Sequence, residues 1–266
     1  MENKVTILGT RGSVPVSGRA FMRYGCATTC FLIQMGGEAV VVDAGTGILN
    51  LPDEVMALPR LTMLLTHPHV DHLLGLPMCP YLFQKDVVLQ LFAASLAGID
   101  TRAQVSALLS PPLWPVGPEM LPGTLRFHAL PEKLCQGNIL VESMQGAHPG
   151  GVTVFRLSCG EKRVVIATDC TITDDLKPVL ADFARDCDLF LCDGQYSDEE
   201  WPLRCEFGHS TWRAAAELAQ VAGAKEARIV HHDPNHVDEV LDAAAPELLQ
   251  LHPRCCFARE GEVIPI

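Results

Sequence analysis

Four side chains able to bind cations fall within six consecutive positions: His67, His69, Asp71 and His72, in the segment LLTHPHVDHLLG. They directly follow LTMLLT, an apolar run that reads as a strand. Three imidazoles and a carboxylate at a strand's end are hard to explain as packing, because each would need its own buried partner. A solvated polar loop is the rival reading. Neutral imidazole and ionised carboxylate are the donors that Zn²⁺ and similar divalent ions take. An extended His-x-His sends alternate side chains the same way, and the following turn redirects Asp71 and His72, so two residues can serve one ion and two the next.

The elements that must position these residues can be read from the hydrophobic pattern. Short runs rich in Val, Ile and Leu predict strands at 4–9, 29–35, 38–43, 61–66, 87–92, 139–145, 152–158, 163–168, 187–192 and 227–231. Helical patterns fall at 72–76, 102–109, 174–184, 210–222 and 236–250, with Asp174 and either Ser210 or Thr211 as candidate caps. Gly36 and Gly37, between CFLIQM and EAVVVD, suit a tight hairpin turn. Residues 110–123 hold five prolines and are expected to form a loop, one that borders the cleft. The pattern as a whole predicts two packed sheets covered by helices.

A chain of 266 residues, 48% hydrophobic and 20% charged, has ample material for a folded core, and one domain spanning 1–266 is expected. The opening MENKVTILGT runs straight into a strand pattern, and no apolar run approaches the ~20 residues of a membrane helix. The eleven cysteines lack a Cys-x-x-Cys pair and read as reduced thiols, so a cytoplasmic protein is expected. A net charge of −12, with no run of more than two basic residues, disfavours a long nucleic acid as partner and favours a small substrate. Metal ions in a cleft would still attract a compact anion.

The His-x-His-x-Asp-His segment after an apolar strand resembles the metallo-β-lactamase superfamily, and the likeness extends over essentially the whole chain. His148 in QGAHPGG, Asp169 in VVIATDC and His231 in ARIVHHDPNH stand where that family places its later ligands. The resemblance implies an α/β fold, a four-layer αββα sandwich of two mixed sheets. It also implies two divalent ions, zinc first, with manganese or iron as alternatives. His67, His69 and His148 would serve one ion, Asp71, His72 and His231 the other, and Asp169 would bridge them. Taken singly the late residues are weak signals, and His232 competes with His231, which directly follows the strand. Two ions about 3.5 to 4 Å apart would bring the pKa of a shared water from near 16 toward neutrality, making a hydroxide nucleophile available. Asp71 would orient it or take its proton.

Within the superfamily, ILGTRGSVPVSGRAFMRYGCATTCFLI, DAGTGI and FGHSTW resemble a group containing tRNA 3′-processing nucleases and small cyclic-phosphate phosphodiesterases. In that group the histidine matching His209 protonates the leaving oxygen, a task suited to an imidazole at neutral pH. The HHDPNHVD ending resembles the small-substrate phosphodiesterases more than the nucleases, whereas Ala27 stands where the family often has Asn. The function implied is a phosphodiesterase for a small cyclic phosphate or nucleotide-like molecule, in a protein that forms a homodimer. An RNA endonuclease, a thioester or lactone hydrolase, and a metal-containing binding protein without turnover are the alternatives. Arg11 and Arg19 could meet a phosphate, though solvated arginines are commoner. Trp114, Trp201, Trp212 and Cys170 read as packing residues, and His128, His236 and His252 have no ligand-like setting.

Overall fold

A computed structural model describes residues 2–266. Among these residues are fourteen strands, six α-helices and six short 3₁₀ turns. The first sheet is built from β1 (Lys4–Gly9), β2 (Cys30–Met35), β3 (Glu38–Val42), β4 (Arg60–Leu65), β5 (Val88–Ala93) and β6 (Thr124–Ala129). The second contains β7 (Lys133–Gln136), β8 (Ile139–Gly146), β9 (Val152–Cys159), β10 (Lys162–Ala167), β11 (Leu189–Asp193), β12 (Glu226–Val230) and β13 (Cys255–Phe257). A last strand, β14 (Val263–Pro265), returns to the first sheet beside β1. The orders are β14-β1-β2-β3-β4-β5-β6 and β13-β12-β11-β10-β9-β8-β7. Each sheet is antiparallel along one half and parallel along the other, from β3 to β6 in the first and from β10 to β13 in the second.

The central strands are apolar on both faces because both faces are covered. Val5, Ile7, Phe31, Ile33, Val40 and Val42 meet Phe155, Leu157, Val164, Ile166, Leu189 and Leu191 between the sheets. The alternate residues of the same strands, such as Cys30, Leu32 and Val41, face outward into a second cluster. Short helices α1 (Asp53–Met56) and α2 (Thr101–Ser106) belong to the first half of the chain. Helices α3 (Leu176–Phe183), α4 (Trp201–Arg204), α5 (Trp212–Ala222) and α6 (Asp238–Leu251) follow in the second half. Leu180, Ala215, Leu218, Leu241 and Leu248 pack α3, α5 and α6 onto Val165, Ala167 and Phe190 of the second sheet. The result is the expected αββα sandwich of two mixed sheets.

Several elements differ from expectation. Residues 72–76 form no helix; two 3₁₀ turns, Val70–His72 and Leu76–Met78, stand there instead. Thr211 rather than Ser210 caps α5, accepting the Ala214 N–H at 3.1 Å. The proline-rich segment is a loop with a 3₁₀ turn, Pro118–Met120, but it does not wall the cleft described below: its Trp114 and Leu121 pack against the outer core of the first sheet. Gly36 and Gly37 make the β2–β3 turn with φ of 58° and 86°, both in the region glycine favours. No helix of the described residues is long and apolar enough to cross a membrane.

Candidate metal centre

The parallel strands β3, β4, β10, β11 and β12 end on one edge of the sandwich, and the chemically capable side chains hang from those ends or the loops just past them. Asp43 follows β3, and His67, His69, Asp71 and His72 follow β4. Asp169 follows β10, Asp193 ends β11, and His231 follows β12; His148 lies just past the antiparallel β8. Seven described residues other than glycine have positive φ, and four of them, Ser13, Asp43, Asp169 and His231, are at this edge. Such conformations cost of order 1–3 kcal/mol each and persist where the surroundings over-determine them, typically at functional sites.

All seven residues expected from the sequence converge. The ligand-capable atoms of His67, His69 and His148 lie within 4.8 Å of one another, as do those of Asp71, His72, Asp169 and His231. His148 Nε2 and His69 Nδ1 are 3.0 Å apart. His231 Nε2 is 3.1 Å from both Asp71 Oδ2 and Asp169 Oδ1, and His72 Nε2 is 3.0 Å from Asp169 Oδ2. His232 turns the other way, where its Nε2–H donates to Ala258 O at 2.9 Å and its ring meets Tyr24 and Phe257 edge-on. Burial there pushes its pKa down to about 3.

Outer partners select which nitrogen faces inward. Asp43 accepts both the Thr66 hydroxyl, at 2.9 Å, and His72 Nδ1–H, at 2.8 Å. With its proton given to Asp43, the Thr66 oxygen accepts His67 Nδ1–H at 3.1 Å. Gly208 O accepts His148 Nδ1–H at 2.8 Å, and Gln195 Oε1 accepts His231 Nδ1–H at 2.9 Å. Four imidazoles therefore turn Nε2 toward the common space.

The electrostatics differ between the two groups. Burial, helped by the neighbouring imidazoles, holds His67 well below the usual histidine range, and burial likewise lowers His69 and His148. In the other group burial opposes charge but loses. Asp169, Asp71 and Asp43 raise His72, Asp169 and Asp71 help push His231 up to about 10, and His72 and His231 hold Asp71 far below the carboxylate range. The two carboxylates thus favour positive charge on His72 and His231, a charge that a divalent cation would replace. His67 Nε2, moreover, is buried with no hydrogen-bond partner among the described residues. A bare lone pair in a buried site ordinarily has a bound partner. The residues present therefore fit divalent metal.

A cavity of about 280 Å³ opens onto these groups, lined by Ser13, His69, Val70, Asp71, Asp169, His209 and His231. His209 is stacked on His231 with centroids 4.8 Å apart, and its Nδ1–H donates to Asp193 Oδ2 at 2.8 Å. A larger cavity of about 350 Å³, over β5 and β6, has no comparable set: Asp100 caps α2 there and the Thr101 hydroxyl binds backbone carbonyls. Arg11 is neither a solvated residue nor part of the cavity wall but wholly buried, whereas Arg19 is exposed. Ala27 contributes main chain, its N–H donating to Glu260 Oε2 at 2.9 Å and its carbonyl accepting from Thr10 and Arg11. Trp212 and Cys170 are in the core of the second sheet, and His128 stacks on Phe92. Asp193 and Gln195, in CDGQYS, have no place in the sequence reading. For Asp193 the signal is an acid closing an apolar strand run, the same context as Asp169; Gln195 carries no such signal.

Known proteins share this architecture. Ribonuclease Z of Lachnoclostridium phytofermentans is 23% identical over 87% of this chain and 88% of its own length. The probable metallo-hydrolase YhfI of Bacillus subtilis is 24% identical over 86% of each chain, and its crystal structure superposes with a TM-score of 0.73, at 21% identity, over 99% of both. A crystal structure described as a new diphosphatase from the PhnP family matches with a TM-score of 0.71, at 15% identity, over 99% of this chain and 98% of that one. The profile of the beta-lactamase superfamily domain matches residues 38–232, which run from β3 past the last histidines of the site. With that match, the shared sandwich and the convergent His/Asp cluster, the chain belongs to the metallo-β-lactamase superfamily and is a metal-dependent hydrolase.

Proposed function

We propose that the protein is a phosphodiesterase that uses two divalent ions, zinc first among them, on a small cyclic phosphate or nucleotide-like substrate. His67, His69 and His148 would hold one ion, Asp71, His72 and His231 the other, and Asp169 would serve both. The observation that carries this reading is the place of Asp169, whose Oδ1 is 3.7 Å from His67 Nε2 and 3.1 Å from His231 Nε2 while Oδ2 is 3.0 Å from His72 Nε2. One carboxylate thereby faces both donor groups. Ions bound there would acidify water and offset negative charge on phosphoryl oxygens.

The protein's own residues would do the rest. Asp71 would orient the attacking water or take its proton. His209 would protonate the leaving oxygen from Nε2; Asp193 holds the opposite nitrogen, fixes the ring and offsets its positive charge while the proton is carried. The cavity of about 280 Å³ suits a small molecule, and the net charge of −12 repels a long polyanion. The likeness to ribonuclease Z supports a second reading, cleavage of structured RNA.

The test is elemental analysis of the purified protein, followed by assays with each metal restored on bis(p-nitrophenyl) phosphate, cyclic nucleotides, a thioester, a lactone and a precursor tRNA. Diester turnover dependent on about two ions per chain is expected, with Asp169→Ala losing metal and nearly all activity. Cleavage of the precursor tRNA alone would favour the RNA reading. Thioester or lactone turnover with inert diesters would overturn both, as would ligand binding without any turnover.

A further inference from the structure

The loop at residues 10–14 reaches the cavity wall through Ser13, and the metal chemistry leaves its side chains unused. It is held firmly from behind. Arg11 Nε–H donates to Gly25 O at 2.7 Å, and Nη1 donates to Asp233 O and His236 O at 3.2 and 2.8 Å. Gly12 lies against His231 so closely that a Cβ would come within 2.3 Å of the ring, and its N–H donates to His232 O at 3.0 Å. Ser13, next in line, has φ of 64°, a conformation serine seldom adopts, and its N–H donates to Asp71 Oδ2 at 2.8 Å. Glycine would satisfy this backbone with less strain. What serine adds is a hydroxyl, on a residue that lines the cavity together with Asp71, Asp169 and His209.

The direction of that hydroxyl follows from counting donors. An ionised Asp233 can only accept, so the Gln195 atom 3.3 Å from its Oδ2 is the amide nitrogen, and this leaves Gln195 Oε1 for His231 Nδ1–H. The same amide nitrogen is 3.4 Å from Ser13 Oγ, which therefore accepts. The serine proton is then left to a different partner, and Ser13 is a residue of the cavity wall.

We propose that Ser13 is a substrate-binding residue whose hydroxyl donates to a non-bridging oxygen of the substrate's phosphoryl group, with Gln195 setting the hydroxyl's orientation. This rests on the phosphodiester reading above. The test uses zinc-loaded wild type, S13G, S13A and S13N, with inorganic phosphate as the probe in calorimetric titration, zinc content and melting temperature measured in parallel, and diester kinetics alongside. Loss of a hydrogen bond to a charged oxygen predicts phosphate affinity and kcat/KM about ten-fold lower in S13G and S13A at unchanged zinc content. S13N, which tolerates the same backbone and brings an amide donor, should recover part of the loss. Equal phosphate affinity in wild type and S13G, absence of phosphate binding in wild type, or loss of zinc from S13G would each overturn the assignment. Phosphate binding that depends on Ser13 in a protein inert to every diester would instead overturn the phosphodiester reading and leave Ser13 as an anion contact.

Discussion

Asp193 holds His209 by Nδ1 as Asp43 holds His72, yet the two histidines have different settings: His72 is wholly buried among the cluster, and His209 lines the cavity. A residue proposed to carry a proton rather than a metal should be separable from the metal. His209→Ala is therefore expected to keep its full metal content and to lose about 100- to 1,000-fold in turnover, the scale of a lost general acid. Asp193→Asn should lose less, about 10- to 100-fold, because the amide preserves the shape but not the charge that favours the protonated ring. Metal analysis beside kcat measured across pH checks both; a demetallated His209→Ala protein would show that the ring is a ligand after all. Most of this residue-level design was legible in the sequence, because imidazoles crowded after a strand have few other uses. Arg11 was not, since a guanidinium reads as surface until the three carbonyls that receive it are in view. His231 and His232 send their rings opposite ways from adjacent positions, His231 toward Asp71 and Asp169 and His232 toward Ala258 O, and the positive φ at His231 that accompanies this is nothing a side-chain pattern reveals.

At the scale of elements, strands buried on both faces announced themselves as unbroken apolar runs, and those that carry the site, β3, β4, β10, β11 and β12, belong to that class. The strands that escaped notice, β6, β7, β13 and β14, lie at sheet edges. There TLRFHA and KLCQ alternate exposed and half-buried positions and so blur into loop composition, and β13 and β14 are only three residues each. The end of the parallel strands away from the site has its own fastening. Asp188 accepts the Arg163 N–H at 2.8 Å and pairs with Lys225 at 2.9 Å and Lys162 at 3.5 Å, joining the starts of β10, β11 and β12. Burial would raise the Asp188 pKa, but Lys225, the Arg163 N–H and Lys162 bring it below the usual aspartate value. A carboxylate lowered on folding adds stability above its unfolded pKa of about 3.9 and loses it as pH falls through the folded value. Asp188→Asn should accordingly cost about 1 kcal/mol at pH 7, the scale of a partly exposed ion pair. That cost should shrink below about pH 4. Denaturant melts at pH 7 and pH 3 decide the matter, and an equal cost at both would mean that the lysine pairs contribute nothing.

For the molecule as a whole, eleven cysteines without a pairing pattern suggested thiols used as small apolar fillers, and the sandwich shows where that reading leads. All eleven are free, and Cys30, Cys79, Cys170, Cys187, Cys192 and Cys255 are buried in the outer cores of the two sheets, while only Cys135 and Cys205 are exposed. Burial pushes Cys79 up to about 11 and Cys170, Cys187 and Cys255 up to about 12, so thiolate, the reactive form, is scarce at those sites even before access is considered. Reactivity should then report the integrity of the whole sandwich. With 5,5′-dithiobis(2-nitrobenzoate) at pH 8, Cys135 and Cys205 are expected to react at once and the half-buried Cys26, Cys159 and Cys256 more slowly. The six buried thiols should react only at the rate of global opening, because both sheets and their covering helices must separate to admit the reagent. Six fast thiols in the native protein would contradict a closed four-layer core, whereas a slow phase that accelerates with denaturant in step with unfolding would tie thiol protection to the same packing that aligns the strand ends beneath the metal centre.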